Sequence, residues 1–160
     1  MLGKFFSKVV VLSSAIALPL FCDAAGIWST GPSMSARLAP AAAAINGIFY
    51  VAGGNDGISD SSTLQAYNPA SNTWTTLASM PGGRYEGDGA GVINGKLYIP
   101  GGWTTSPGLP HSELFVYDPA TNSWSSAASL SSLSACGTST VINNIMYTTT
   151  TCNGPSGFAI

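Results

Sequence analysis

Short apolar runs separated by Gly, Pro, Asn and Ser set the pattern of this chain, and beyond residue 25 they predict strands. Ala41–Ile45 is small and apolar, and Asn46-Gly47 joins it to a second run, Ile48–Ala52. Asn-Gly between apolar runs is the strongest short hairpin signal, because both turn residues must take positive φ. The second run ends in Gly53-Gly54, where missing side chains let neighbouring backbones approach or bend. A variable loop leads to a third run, Leu64–Tyr67; Asn68-Pro69 then opens a turn, and a fourth strand starts at Trp74.

The same text returns downstream. Ala90–Ile93, Asn94-Gly95, Lys96–Ile99, Gly101-Gly102, Leu114–Tyr117, Asp118-Pro119 and Trp124 follow in the same order. Tyr50 and Tyr98 lie 48 residues apart, as do Gly53 and Gly101, while Tyr67 and Tyr117 lie 50 apart. A fixed period near 50 residues with this content is the signature of a propeller blade. The chain resembles the Kelch family of β-propellers: it has the Gly-Gly pairs, Tyr67 and Tyr117, the polar-loop Asn72 and Asn122, and a Trp two residues beyond each Asn. The expected fold is all-β, a partial Kelch-type β-propeller of four-stranded antiparallel blades. Two full repeats, about 35–80 and 84–130, precede a degenerate partial third at about 134–160. The third keeps a hairpin at Val141–Tyr147, but Thr150-Thr151 stands in place of Gly-Gly, and the chain is expected to stop before a third or fourth strand. Gly26–Met34 resembles the repeat ends around Trp74 and Trp124, so a lone fourth strand leads the first repeat. Closed propellers have about 4–8 blades. The chain therefore reads as a fragment of a longer propeller, or less readily as a protomer that completes a ring, with self-association through open blade edges.

Residues 1–24 read as an export signal ahead of a 25–160 propeller domain. Lys4 and Lys8 supply positive charge, Val9–Phe21 is an apolar run of 13 residues, and Cys22-Asp23-Ala24 places small side chains for a cut after Ala24. The run is broken by Ser13, Ser14 and Pro19 and falls short of the roughly 20 residues a spanning helix needs. A retained anchor and lipid attachment at Cys22 are the alternatives, the latter opposed by bulky Phe21. The expected location is secreted, periplasmic or cell-surface, with no stable membrane insertion after cleavage.

Charged residues make up only 8% of the chain, against about 25% in ordinary soluble domains, and Ser, Thr, Asn and Gly carry the polarity instead. Beyond residue 24, the cations Arg37, Arg84 and Lys96 face the carboxylates Asp56, Asp60, Glu86, Asp88, Glu113 and Asp118. Three scattered cations cannot form the basic stripe that a phosphate backbone requires, which excludes nucleic acid as a partner.

Candidate chemistry is sparse. After a cut at Ala24 the remaining cysteines are Cys136 and Cys152, and an even pair in an exported chain suggests a disulfide. If Asn143-Asn144 is a two-residue turn, Cys136 falls opposite Thr151, so a bridge to Cys152 needs a kink; two free thiols are the alternative. One histidine and no ligand cluster leave no metal site, and no cofactor is expected. Asn55-Asp56-Gly57 is like a cation loop but lacks further carboxylates. Trp28, Trp74 and Trp124 recur at equivalent positions and are expected to pack between blades.

Residues that break the repeat are the candidate contacts: Arg37, Arg84, Tyr85, Trp103 and His111. Glu86 and Asp88 could form an acid/base pair, but as loop carboxylates partnering Arg84 they need no catalytic role. No catalytic residue is assigned. The expected function is a binding or interaction module recognising a protein or glycan ligand through blade loops. The alternative, implied by the resemblance, is a carbohydrate-processing enzyme such as a sialic acid mutarotase-like epimerase, for which Glu86, Arg84 and His111 are the residues at hand. Copper oxidase chemistry of the kind some relatives of the family carry out would need several His and Tyr ligands and is excluded by the single histidine.

Overall fold

The computed structural model describes residues 30–85, 87 and 89–149 with their side chains, and 9–11, 20–22, 28–29, 150 and 157–159 by backbone alone. Every regular element among the described residues is a strand, and no helix among them is long and apolar enough to cross a membrane.

A leading sheet contains β1 (Val9–Val11), β2 (Leu20–Cys22) and β3 (Trp28–Thr30). Blade one follows in order: β4 (Ala41–Ile45), β5 (Ile48–Ala52), β6 (Leu64–Asn68) and β7 (Thr73–Leu77). Blade two is β8 (Gly91–Ile93) and β9 (Lys96–Pro100), a small hairpin of β10 (Trp103–Thr104) and β11 (Leu109–Pro110), then β12 (Leu114–Asp118) and β13 (Ser123–Ala127). Blade three holds β14 (Thr138–Ile142), β15 (Ile145–Thr150) and β16 (Gly157–Ala159). All pairings are antiparallel. The all-β, four-stranded expectation holds, and the Asn-Gly turns carry the φ values it required: Asn46 at 49° with Gly47 at 79°, and Asn94 at 50° with Gly95 at 74°.

One expectation is corrected. Blade three does not stop before a third strand, because β16 pairs with β15 through Thr148↔Ala159, Thr149↔Phe158 and Thr150↔Gly157. Three residues suffice for a ladder, and the loss of Gly-Gly at Thr150-Thr151 does not prevent the chain from returning. The fourth strand is the one that the described part of blade three lacks.

The first strands lie side by side, β4 by β8 and β8 by β14, which puts the small residues of Ala41–Ile45 and Gly91–Ile93 at the crowded inner edge. A Cβ on Gly91 would come within 2.8 Å of Val141 Cγ2. The core forms between blades one and two from Ile45, Tyr50, Leu64, Met80, Leu97, Ile99 and Tyr117, with the Tyr50 and Tyr117 rings 6.0 Å apart.

The repeated Tyr, Asn and Trp make one clamp. Tyr117 Oη donates to Asn122 Oδ1 at 2.8 Å, and the same oxygen accepts the Ala78 N–H at 3.0 Å. Trp124 Nε1 donates to Ala78 O at 2.7 Å, so both polar groups of one blade-one peptide position are held by blade two. In blade one Trp74 Nε1 donates to Pro32 O at 3.0 Å, and Tyr67 Oη reaches Asn72 Oδ1 at 2.7 Å. Proline has no N–H to offer, so Asn72 cannot repeat the second bond. Trp74 and Trp124 therefore pack between successive segments as expected; the side chain of Trp28 lies outside the described residues.

Candidate functional site

The Gly-Gly pairs position the loop end of the blades. Gly53 N donates to Thr63 O and Gly54 N to Arg84 O; Gly101 N donates to Glu113 O and Gly102 N to Ser134 O. Each pair thus ties its own blade to the linker that begins the next. These linkers and the loops between second and third strands gather at one end, opposite the Asn-Gly hairpins.

Arg37 and Arg84 prove to be equivalent residues. Leu38 exchanges backbone hydrogen bonds with Asn55, as Tyr85 does with Trp103, so the residue preceding each bridge is an arginine. Arg37 Nη1 donates to Gly53 O at 3.2 Å and Thr63 O at 3.1 Å, and Nη2 to Gln65 Oε1 at 2.8 Å. Burial lowers its pKa, against an opposing pull from Asp56. Arg84 Nη1 donates to Gly83 O at 2.8 Å, its guanidinium lies 5.6 Å from the Phe115 ring centroid, and Nη2 stands 3.6 Å from Glu113 Oε2. The Arg84 side chain is only 11% exposed, and its Nε has no hydrogen-bond partner among the described residues.

His111 Nδ1 stands 3.3 Å from the same Glu113 oxygen, and Nε2 lies 3.1 Å from Thr104 Oγ1. Of the candidates, Arg84, Tyr85, Trp103 and His111 therefore come together around the small hairpin, while Arg37 sits one blade away. Trp103 and Tyr85 are half-buried, joined by backbone bonds of 3.0 and 2.7 Å. Glu86 and Asp88 lie outside the described residues.

Two carboxylates that the sequence did not single out organise this end. Glu113 sits between Arg84 and His111; burial pushes its pKa up, but its own backbone N–H, Arg84 and His111 outweigh that and hold it below the usual range. An ionised, cation-flanked carboxylate suits anchoring more than proton donation. Asp60, on the blade-one loop, accepts from Thr105 N at 2.6 Å, Thr105 Oγ1 at 2.7 Å and Asn55 Nδ2 at 2.8 Å, and so ties the two blades' loops together. Burial pushes Asp60 up, yet the Thr105 and Asn55 bonds and Arg84 leave it below the ordinary value. No local motif marks either residue, since both act across the blade boundary. Asp60→Ala is expected to loosen the loop contact by about 1 kcal/mol, read as roughly fivefold faster exchange of the Thr105 amide hydrogen. Because the folded pKa is depressed, the contact is fully present above the unfolded carboxylate value and fades as pH falls through the lower folded one.

Asn55-Asp56-Gly57 is a self-bonded turn: Asn55 Oδ1 accepts the Gly57 N–H, and Asp56 Oδ1 the Ile58 and Ser59 N–H groups. No group of three potential metal ligands occurs among the described residues. Cys136 has φ 61°, and the register Ile142↔Ile145 through Thr138↔Thr149 is the one anticipated; Cys152 lies outside the described residues.

Comparison with known proteins bears on this geometry. The Kelch motif matches residues 36–81 and 89–131, more than half of the chain. The chain belongs to the Kelch-repeat family. Kelch-like ECH-associated protein 1B of Danio rerio is 38% identical over 92 residues, which is 53% of this chain and 15% of that protein. Kelch-like protein terF of Aspergillus terreus is 34% identical over 84 residues, 48% of this chain and 18% of that protein. The solved structure of YjhT aligns with a TM-score of 0.63 at 26% identity, covering 74% of this chain and 36% of that one. The matched part of this Kelch chain thus spans less than a fifth of the first two relatives and about a third of YjhT.

Proposed function

We propose that this chain is an exported Kelch-propeller segment that binds a protein ligand through its loop end. The observation that carries this reading is the side chains left in solvent there. Leu38, Ile58, Leu109 and Leu133 are 56%, 92%, 52% and 50% exposed, and all four stand on the linkers or second-to-third-strand loops of that end. Four of the six exposed large apolar side chains among the described residues stand at this end, the other two being Ile142 and Ile145 at the opposite hairpin, and with the arginines already engaged within their blades these four fit an apolar protein surface better than a sugar. The relative from Danio rerio is named for association with another protein, which supports a ligand of the same kind. The half-buried Trp103 favours a glycan less, because its ring is not fully presented for stacking. Export rests on Lys4, Lys8 and the 13-residue apolar run before Ala24. A positive φ at Cys136 supports a Cys136–Cys152 bridge, which needs a kink there, and export would place that bridge in an oxidising compartment.

Selection of peptides from a display library against the full chain tests the ligand class. Selected peptides are expected to bind the native chain and the opposite-end variant Ile142→Asp alike, and to lose about tenfold or more in affinity for an Ile58→Asp/Leu109→Asp variant. Binding to arrayed glycans without any peptide selection would transfer the site to sugars, and loss of binding in Ile142→Asp alone would move it to the other end.

A further inference from the structure

The Asn-Gly end of the blades, away from the exposed leucines, holds a cleft of about 580 Å³, the size of a small-molecule site. It lies between the turn at Asn46 in blade one and the turns at Asn94-Gly95 and Asp118-Pro119 in blade two. Ile45, Ile48 and Pro119 give it an apolar wall.

Two features of this cleft are not demanded by the fold. The residue that follows the tight turn is Ile48 in blade one and Ile145 in blade three, each opposite another isoleucine, but in blade two it is Lys96. The residue that opens the next turn is Asn68 in blade one and Asp118 in blade two. Blade two thus replaces an apolar residue and an amide by an ion pair, with Lys96 Nζ 2.9 Å from Asp118 Oδ2. The turn itself uses only the other oxygen: Asp118 Oδ1 accepts the Ala120 N–H, as Asn68 Oδ1 accepts that of Ala70. An ion pair this open to solvent adds little stability, so stability does not account for it. The second feature is Tyr50, which lines the cleft and is only 7% exposed. Its hydroxyl has no hydrogen-bond partner among the described residues, whereas those of Tyr67 and Tyr117 are held by Asn72 and Asn122. A largely buried phenol normally finds a partner.

We propose that this cleft binds a neutral sugar ring through two adjacent hydroxyls. Lys96 has N–H groups to spare and Asp118 Oδ2 has a further lone pair, so one hydroxyl accepts from Lys96 while its neighbour donates to Asp118. An anion at this place would meet Asp118 and a cation Lys96, and either would break the pair. A peptide turns its successive N–H and C=O groups to opposite sides, so it matches a donor and an acceptor standing 2.9 Å apart less well than a diol does. The Tyr50 hydroxyl and the side-chain amides of Asn46 and Asn94 add groups that can both donate and accept. The C–H face of the ring fits the wall of Ile45, Ile48 and Pro119. The site is independent of the protein ligand, which takes the other end of the blades.

Titration of D-glucose, D-galactose and D-mannose into the isotope-labelled full chain, followed by amide NMR, tests the proposal. At least one of the three is expected to shift the Gly95, Lys96 and Ala120 amides and the Asn46 and Asn94 side-chain amides, saturating in the millimolar range. The methyl glycoside of that sugar distinguishes the source: equal binding points to the end of a glycan chain, and its failure to a free sugar. Lys96→Ile and Asp118→Asn install the residues that blade one carries, so the fold is kept, and each should weaken binding about tenfold. Tyr50→Phe retains the packed ring and should weaken it about threefold. Native affinity in Lys96→Ile would overturn the proposal. So would shifts that rise without saturation, no shift with any of the three sugars, or movement of these amides by library-selected peptides and not by sugars.

Discussion

Replacing Gly101 by alanine is expected to cost roughly 3 kcal/mol or more of stability. Its φ of 55° lies in the left-handed region, where an L side chain costs about 1–2 kcal/mol. A Cβ there would stand 2.4 Å from Ser134 O and 3.1 Å from His111 O. Both obstacles are backbone oxygens, so no rotamer change can clear them. Ser134 O already accepts the Gly102 N–H at 2.9 Å, and His111 O accepts the Ser134 N–H at 2.8 Å. Making room therefore disturbs the bonds that tie blade two to the linker of blade three, each worth about 1 kcal/mol. Gly95→Ala separates the two causes. Gly95 also has positive φ, 74°, but an added Cβ would meet nothing within 4 Å. It should cost only about 1 kcal/mol, the conformational part alone. Urea unfolding of the two variants beside the native chain gives the comparison; equal losses would mean that the close approach at Gly101 does not constrain the fold.

That contrast shows which features a sequence can display. Asn46-Gly47 and Gly53-Gly54 are local signals, because the backbone conformation they permit is a property of the residues themselves. The period of the Tyr and Trp residues is equally visible, and it led to blades, register and inter-blade packing. Weak local signals were misread. β16 has no Gly-Gly ahead of it, and its three-residue ladder with β15 depends on pairing at a distance. Arg37 and Arg84 looked like departures from the repeat, but each precedes a Gly-Gly pair by similar spacing, and that spacing could have shown them to be equivalent. What they touch could not be read: Gln65 in blade one becomes Phe115 in blade two, so one arginine is bound by an amide and the other lies over a ring. Asp60 and Glu113 were invisible for a different reason. Their importance comes from Thr105 of the next blade's loop and from Arg84 and His111, and no spacing along the chain records distances across a blade boundary.

Tyr117→Ala is expected to be the other severe substitution, at about 3–5 kcal/mol, because it removes the largest of the fully buried side chains. The ring is 1% exposed and packs against Tyr50 at 6.0 Å and Trp124 at 5.1 Å, so its loss opens a void where the two blades meet. Burial also raises the phenol's pKa, with Tyr50 and Asp118 adding to the effect, and the hydroxyl donates to Asn122. Tyr117→Phe tests how much of the stability lies in that polar contact. It deletes one hydrogen bond but leaves Asn122 Oδ1 accepting the Ala78 N–H, so about 1 kcal/mol should be lost. In a thermal scan the alanine variant should melt roughly 10 °C below the native chain and the phenylalanine variant about 3 °C below it. If the two fall together, Asn122 needs the phenol to hold the Ala78 peptide, and the blades are joined by the polar clamp. If only alanine is severe, the aromatic ring joins them, and the hydroxyl merely orients an asparagine that Ala78 already holds in place.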